Sequence, residues 1–304
     1  MSFRLTILGS NSAVPAHDRF PTSQILEYNK QRFLIDCGEG AQFQLNKFKI
    51  KRSGLNHIFI SHLHADHFLG LVGLISTFRL NGKIDDLHIY APAYLKKILD
   101  VQLDFDKDRK WSFKIVFHAL KFEKSYKIYE NNTIEVFTIP LDHKIECNGF
   151  LFKEKQKQRK ILTEKISEYN IPFQKINGIK DGNDFKLENN TIILNSELTE
   201  DAPKSKSYAY CSDTKYNESI LPIIENVDLL YHESTFMHDL KEISESRFHS
   251  TSIQAATMAK KANAKKLAIG HFSARYRNLE PMLKEAKTIF DNTELAIEGV
   301  VFEI

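Results

Sequence analysis

Cysteine is scarce in this chain, and a strong charge of either sign is absent. Three cysteines, Cys37, Cys147 and Cys211, lie far apart in 304 residues and form no C-x-x-C pair. That count suits a reducing cytoplasm better than a disulfide framework. No stretch approaches the roughly 18 continuous apolar residues of a membrane span. Phe3, Leu5 and Ile7 alternate before Gly9, which reads as a strand and turn and not as a signal peptide. A cytoplasmic protein without a membrane partner is therefore expected. The formal charge of +3 permits a nucleic-acid partner without requiring one. No internal repeat of solenoid length is present.

What remains is ordinary globular composition, 42% hydrophobic and 27% charged, long enough to bury a sizeable core. Strand-like and helix-like runs alternate. Predicted strands are 32–36, 57–61, 87–90, 114–118, 133–138, 208–212, 228–232, 265–270 and 294–304. Helical patterns cover 41–48, 68–80, 94–99, 217–225, 253–262 and 280–290. Thr251 followed by Gln254 predicts a capping box on the fifth of these. Two regions break the alternation. Residues 121–138 read as hairpin material turning at Asn131-Asn132. Lys153, Lys155, Lys157, Arg159, Lys160 and Lys165 form a basic stretch, read as an insertion because the chemistry-bearing residues lie on both sides of it. Two sheets between outer helix layers are the expectation.

The chemistry is densest at His62-Leu63-His64-Ala65-Asp66-His67, which follows the apolar run Ile58-Phe59-Ile60 and so leaves a strand end. Imidazoles and a carboxylate are ligands that zinc accepts, and four of them within six residues point to metal. Asp66 and His67 cannot easily share one ion with His62 and His64, so two ions are expected. Three more residues follow predicted strands: His143 in Pro-Leu-Asp-His, Asp213 in Cys-Ser-Asp-Thr and His271 in Ile-Gly-His-Phe. Each is weak evidence by itself, but together they repeat one placement. An aspartate between two cations can give an oxygen to each, and Asp213 is the candidate bridge.

These residues resemble the metallo-β-lactamase superfamily over nearly the whole chain, and within it the short form of ribonuclease Z, or tRNase Z. Supporting segments are Asp36-Cys37-Gly38-Glu39-Gly40, Phe68-Leu69-Gly70-Leu71, Ser212-Asp213-Thr214-Lys215, His232-Glu233-Ser234-Thr235-Phe236, Phe248-His249-Ser250-Thr251 and His271-Phe272-Ser273-Ala274-Arg275-Tyr276. The resemblance implies an αββα sandwich of α/β (α+β) class, one domain over 1–304 with a small inserted tRNA-binding arm at approximately 150–190. It implies one zinc on His62, His64 and His143, a second on Asp66, His67 and His271, and Asp213 bridging, with Mn2+ as another ion the site would take. The implied activity is zinc-dependent removal of the 3′ trailer from precursor tRNA after the discriminator nucleotide, by a homodimer. Two zinc ions would activate water and neutralise phosphoryl charge. Asp66 would orient that water, His249 would protonate the leaving oxygen and Glu233 would orient His249.

The chain departs from the family in two places. The family's loop of proline, any, lysine, any, arginine, asparagine reads here Pro15-Ala16-His17-Asp18-Arg19-Phe20, so Pro15 and Arg19 match and two positions do not. The arm's glycine-proline pair is missing after Ile171-Pro172. Pro15, Arg19, Arg275 and Tyr276 are the expected substrate contacts. Another hydrolase on the same scaffold, a small-molecule phosphodiesterase, lactonase or arylsulfatase, is the alternative.

Overall fold

A computed structural model describes residues 3–103 and 111–304. The chain divides into two compact units. One comprises Met1–Tyr129, Val136–Phe152 and Ser207–Ile304, and the other Glu130–Glu135 with Lys153–Lys206.

The larger unit is built on two seven-stranded sheets. Strands β1 (Phe3–Gly9), β2 (Ser23–Tyr28), β3 (Gln31–Cys37), β4 (Leu55–Phe59), β5 (Leu87–Ala91) and β6 (Ile115–Ala119) lie side by side in that order. β1 to β3 are antiparallel neighbours, whereas β3 to β6 run parallel. The second sheet begins at β7 (Lys127–Glu130), β8 (Ile134–Pro140) and β9 (Asn148–Glu154). It continues through the parallel strands β10 (Ser207–Cys211), β11 (Leu229–Glu233), β12 (Lys266–Gly270) and β13 (Thr293–Leu295). β14 (Val301–Glu303) returns to the first sheet beside β1.

The central strands of both sheets, such as β11 and β12, are buried on both faces, which is why they read as apolar runs and not as alternation. The first sheet packs Leu34, Ile58 and Ile60 against Leu71, Leu74 and Ile75 of one helix and Leu95 and Leu99 of another. The second packs Ala209, Leu230 and Leu267 against Ala255, Ala259 and Met282. Aromatic rings fill the space between the sheets: Phe33 lies 5.6 Å from Phe152, and Phe59 lies 5.4 Å from Phe150. The result is the expected four-layer αββα arrangement. Helices are α1 (Ala41–Lys47), α2 (Ala65–Phe68), α3 (Leu71–Leu80), α4 (Tyr94–Leu103), α5 (Ser252–Lys261) and α6 (Glu280–Lys287). The capping box is formed at α5: Thr251 Oγ1 accepts from Gln254 N, and Gln254 Oε1 accepts from Thr251 N at 2.9 Å.

Several expectations need correction. The predicted helix 68–80 is two helices, because Gly70 N donates to Cys37 O at 2.9 Å instead of continuing the helical ladder, at a close approach where a Cβ would meet Gly38 O at 2.2 Å. The single strand predicted at 294–304 is two strands in different sheets, β13 and β14, separated by Gly299 at φ +87°. Glu298, in that crossover, accepts from Ser10 N, Ser10 Oγ and Phe20 N. β2 and β9 were not among the predicted strands. In the smaller unit, Ile161, Ile171, Ile179, Phe185, Ile193 and Leu198 form a core of their own. Its basic stretch is largely paired, with Lys157 on Glu154 and Arg159 on Asp201 at 2.7 and 2.6 Å, and Lys165 on Glu168 at 2.7 Å.

A histidine stack on β4 to β6 gives the fold an acid sensitivity. His57 lies 5.0 Å from His88, which lies 5.3 Å from His118, with Phe33, Tyr90 and Tyr129 around His57. Burial, then the charges His88, His118 and Lys83 would carry, push His57 down to about 3. An unfolded histidine titrates near 6.5, so the unfolded chain binds a proton that the native chain refuses between these values. Stability from this site is intact above about pH 6.5 and falls at up to about 1.4 kcal/mol per pH unit below it. Urea midpoints measured from pH 7.5 to 5 should fall more steeply for the native protein than for His57→Phe. Parallel slopes would show that His57 is not the cause.

Candidate metal centre

The parallel registers align the carboxyl ends of three strands of the second sheet. Cys211 pairs with His232 and Glu233 with Gly270, so Asp213, Glu233 and His271 emerge side by side. From the first sheet, β3 ends at Asp36 and Cys37, and β4 runs on into His62. The two ends are joined where Asn148 N donates to Ser61 O at 3.1 Å. Ligands at the carboxyl ends of parallel strands are the usual consequence of such sheets.

Two ligand groups result, and a third combination joins His249 to Asp213 and His271. His62, His64, His143 and Asp213 each place one ligand atom within 4.8 Å of the others, and Asp66, His67 and His271 do the same. His62 Nε2 and His64 Nδ1 are 3.0 Å apart, and His143 Nε2 and His64 Nδ1 are 3.1 Å apart. The other ring nitrogens of His62, His67, His143 and His271 are already engaged. His143 Nδ1 lies 3.0 Å from Phe248 O, a bond that takes its N–H and leaves Nε2 as a lone pair. His62 Nδ1 lies 3.0 Å from Ser61 Oγ. His67 Nδ1 lies 2.7 Å from Asp36 Oδ2, and His271 Nδ1 lies 2.9 Å from Thr235 Oγ1. Nε2 of His67 and of His271 are buried with no hydrogen-bond partner. Buried imidazole lone pairs that converge on one another and on carboxylates are costly without a cation between them. This donor set fits a divalent metal.

Asp213, only 2% exposed, lies between the groups. Its Oδ1 is 3.1 Å from His271 Nε2 and 3.4 Å from His67 Nε2, while Oδ2 is 3.6 Å from His62 Nε2 and 3.8 Å from His143 Nε2. Burial raises its proton affinity, but His271, His67 and His62 outweigh that and hold it well below the usual carboxylate range. Asp66 is held low in the same way, burial being outweighed by His67 and His271. Its Oδ2 also accepts from Ala13 N at 2.7 Å.

His249 stands beside this cluster, its ring 5.4 Å from His143 and 5.5 Å from His271. Its Nδ1 bonds Glu233 Oε1 at 2.8 Å. Burial works against charge on His249, but the Glu233 carboxylate prevails and pushes the imidazole up to about 9. Glu233 is itself fixed by Thr214 N, Thr235 N and Thr235 Oγ1.

Sequence reasoning missed the groups that hold the ligands. Asp36, fully buried at φ +52°, accepts from Ser61 N, Ser61 Oγ and Tyr210 Oη besides meeting His67. A carboxylate behind a ligating histidine fixes its tautomer and orientation. Its position at the end of β3 was the available signal. Thr235 serves His271 and Glu233 together. Cys147 donates its thiol to Asp213 O at 3.5 Å, and burial keeps that thiol protonated by raising its pKa well above the ordinary value.

The four expected substrate contacts differ in placement. Pro15 and Arg275 are exposed, with the Arg275 guanidinium 5.1 Å from the Phe236 ring centre. Arg19 is buried, donating to Asn11 Oδ1 at 2.9 Å and to Tyr276 O at 2.6 Å. It thus ties the 11–20 loop to the segment after His271. Tyr276 is half-buried, its hydroxyl accepting from Met237 N.

Residues 3–166 match the family model described as Anti-Pycsar protein Apyc1. A ribonuclease Z of Bacteroides fragilis is 43% identical over 302 residues, covering 99% of both chains. One from Cytophaga hutchinsonii is 46% identical over 305 residues, covering 100% of this chain and 97% of the other. Among solved structures, human tRNase Z, short form, superposes with a TM-score of 0.72 at 24% identity over 99% of each chain.

Proposed function

The chain belongs to the ribonuclease Z family, its residues 3–166 also falling in the Apyc1 family, and we propose that it works through two zinc ions and a histidine acid. It is a metal-dependent endoribonuclease that processes the 3′ end of tRNA. The Apyc1 match ends before Asp213, Glu233, His249 and His271. The segments that complete the centre lie in the part that the ribonuclease Z relatives cover.

The observation that carries the mechanism is the placement of Asp213, one oxygen toward each imidazole group. His62, His64 and His143 would hold one ion, Asp66, His67 and His271 the other, with Asp213 shared. Zinc bound there supplies Lewis acidity, lowering the pKa of water and offsetting charge on phosphoryl oxygens. Asp66, anchored by Ala13 N, orients the attacking water. His249 holds a proton for the leaving 3′ oxygen on the nitrogen opposite Glu233, because Nδ1 is committed to that carboxylate. Arg19 acts as a positioning residue: by holding the 11–20 loop to the backbone of Tyr276 it keeps Pro15 and Arg275 where the tRNA end would lie. The smaller unit serves as the tRNA-binding arm, Phe173 on its helix Phe173–Lys180 being 81% exposed.

A homodimer accords with the exposed Phe43 and Leu69, at 69% and 55%. They flank the α1 to α3 contact that Thr77 Oγ1 makes with Gln42 Oε1. A cytoplasmic setting accords with three free, buried cysteines. Among the described residues no helix is long and apolar enough to cross a membrane.

The deciding measurement maps cuts at single-nucleotide resolution in a 3′-extended precursor tRNA, beside an unstructured RNA. One cut after the discriminator, abolished by chelator, is the expected result. Cuts scattered equally through both RNAs would move the substrate to another phosphodiester.

A further inference from the structure

Beside the first ligand group lies an open groove of about 790 Å³. Leu63, Pro92, Tyr94, Lys97, Lys144 and Ile145 line it, with Glu146 as its acidic member. Leu63 stands between His62 and His64, and Lys144 follows His143, so the groove is lined by chain neighbours of the first ligand group. Tyr94 is 62% exposed and Ile145 39% exposed, an unusual cost for side chains that could pack inward. The Lys97 ammonium lies 5.4 Å from the Tyr94 ring centre. An accessible aromatic face with lysines beside it is the chemistry that binds single-stranded nucleic acid: the ring stacks a base and the cations meet phosphates.

The second ligand group adjoins other segments of the chain. Asp66 and His271 adjoin the 11–20 loop and the segment after His271, joined by Ala13 N to Asp66 and by His17 Nε2 to Ala274 O at 2.8 Å. Leu63 and Lys144, neighbours of ligands in the first group, line the groove. An RNA strand laid across the centre with its tRNA end against the loop carries its other end over Tyr94.

We propose that the groove of Leu63, Tyr94, Lys97, Lys144 and Ile145 binds the 3′ trailer, stacking a trailer base on Tyr94 and holding its phosphates with Lys97 and Lys144. This rests on the tRNA-processing reading above. Trailer binding then contributes to substrate capture, and a trailer too short to reach the groove is bound less tightly.

The test compares two precursor tRNAs that differ only in trailer length, one nucleotide against six, by KM. The wild-type protein should bind the longer one about ten-fold more tightly, the scale of one stacked base. Tyr94→Ala should bring the ratio of the two KM values close to one, and Tyr94→Phe should restore it. Lys97→Ala should reduce the ratio and flatten its salt dependence. A wild-type ratio near one overturns the proposal, as does a ratio that Tyr94→Ala leaves unchanged. An unchanged ratio with a shift from dimer to monomer in light scattering would give the groove to a second copy instead. If neither precursor is cut while bis(p-nitrophenyl) phosphate is hydrolysed, it is the tRNA-processing reading that fails.

Discussion

Asp213→Ala should lose bound metal and RNA cleavage together. In the native protein one buried carboxylate faces four imidazoles, with its two oxygens divided between two groups. Removing it leaves those lone pairs converging without the negative charge that makes a divalent cation favourable there. Metal content measured on purified, folded protein should fall from stoichiometric to trace. Cleavage efficiency should drop about a thousandfold or more, the equivalent of several kcal/mol of lost charge stabilisation. His64→Ala should move both readouts in the same direction, since His64 Nδ1 meets both His62 and His143. A fully metallated Asp213→Ala protein cutting at the native rate would remove Asp213 from the centre.

His249→Ala should separate the two readouts that Asp213→Ala moves together. His249 can join Asp213 and His271 around a cation, but its Nδ1 is tied to Glu233 and the groups of His62, His64, His143 and Asp213 and of Asp66, His67 and His271 form without it, so metal content should stay near the native value. Turnover of precursor tRNA should fall by about 10²–10⁴, the usual contribution of a positioned general acid. The loss should be much smaller on bis(p-nitrophenyl) phosphate, whose leaving group departs without a proton. Equal losses on both substrates would point to a structural role, and native turnover of precursor tRNA would exclude His249 from the mechanism. Glu233→Gln should follow the same pattern more mildly. It keeps a hydrogen-bonding side chain but removes the carboxylate that draws a proton onto His249.

The centre was more legible in the sequence than the sheets that carry it. Each ligand had a local signature, since a histidine or aspartate directly after an apolar strand stands at a sheet end. The cap on α5 was legible for the same reason, Thr251 and Gln254 being three residues apart. Strand continuity at the C-terminus was not. Residues 294–304 share a composition, yet Glu298 is drawn to Ser10 and Phe20, and Gly299 turns the chain into the other sheet. Arg19 was expected as a substrate contact and is buried, because the Tyr276 carbonyl it binds lies 257 positions away in the chain.

From its sequence alone the chain determined its ligand types, its strand-and-helix alternation and its family resemblance, all of which reside in residue identity and short spacing. Only the tertiary structure decided that His62–His67 meets His143, Asp213 and His271, and that Asp213 offers one oxygen to each group. It alone decided that Asp36, Ser61, Thr235 and Phe248 O hold the imidazoles. The physical reason is the packing of two sheets with their carboxyl ends together. That packing is driven by apolar burial along the central strands of both sheets, and no single segment records it.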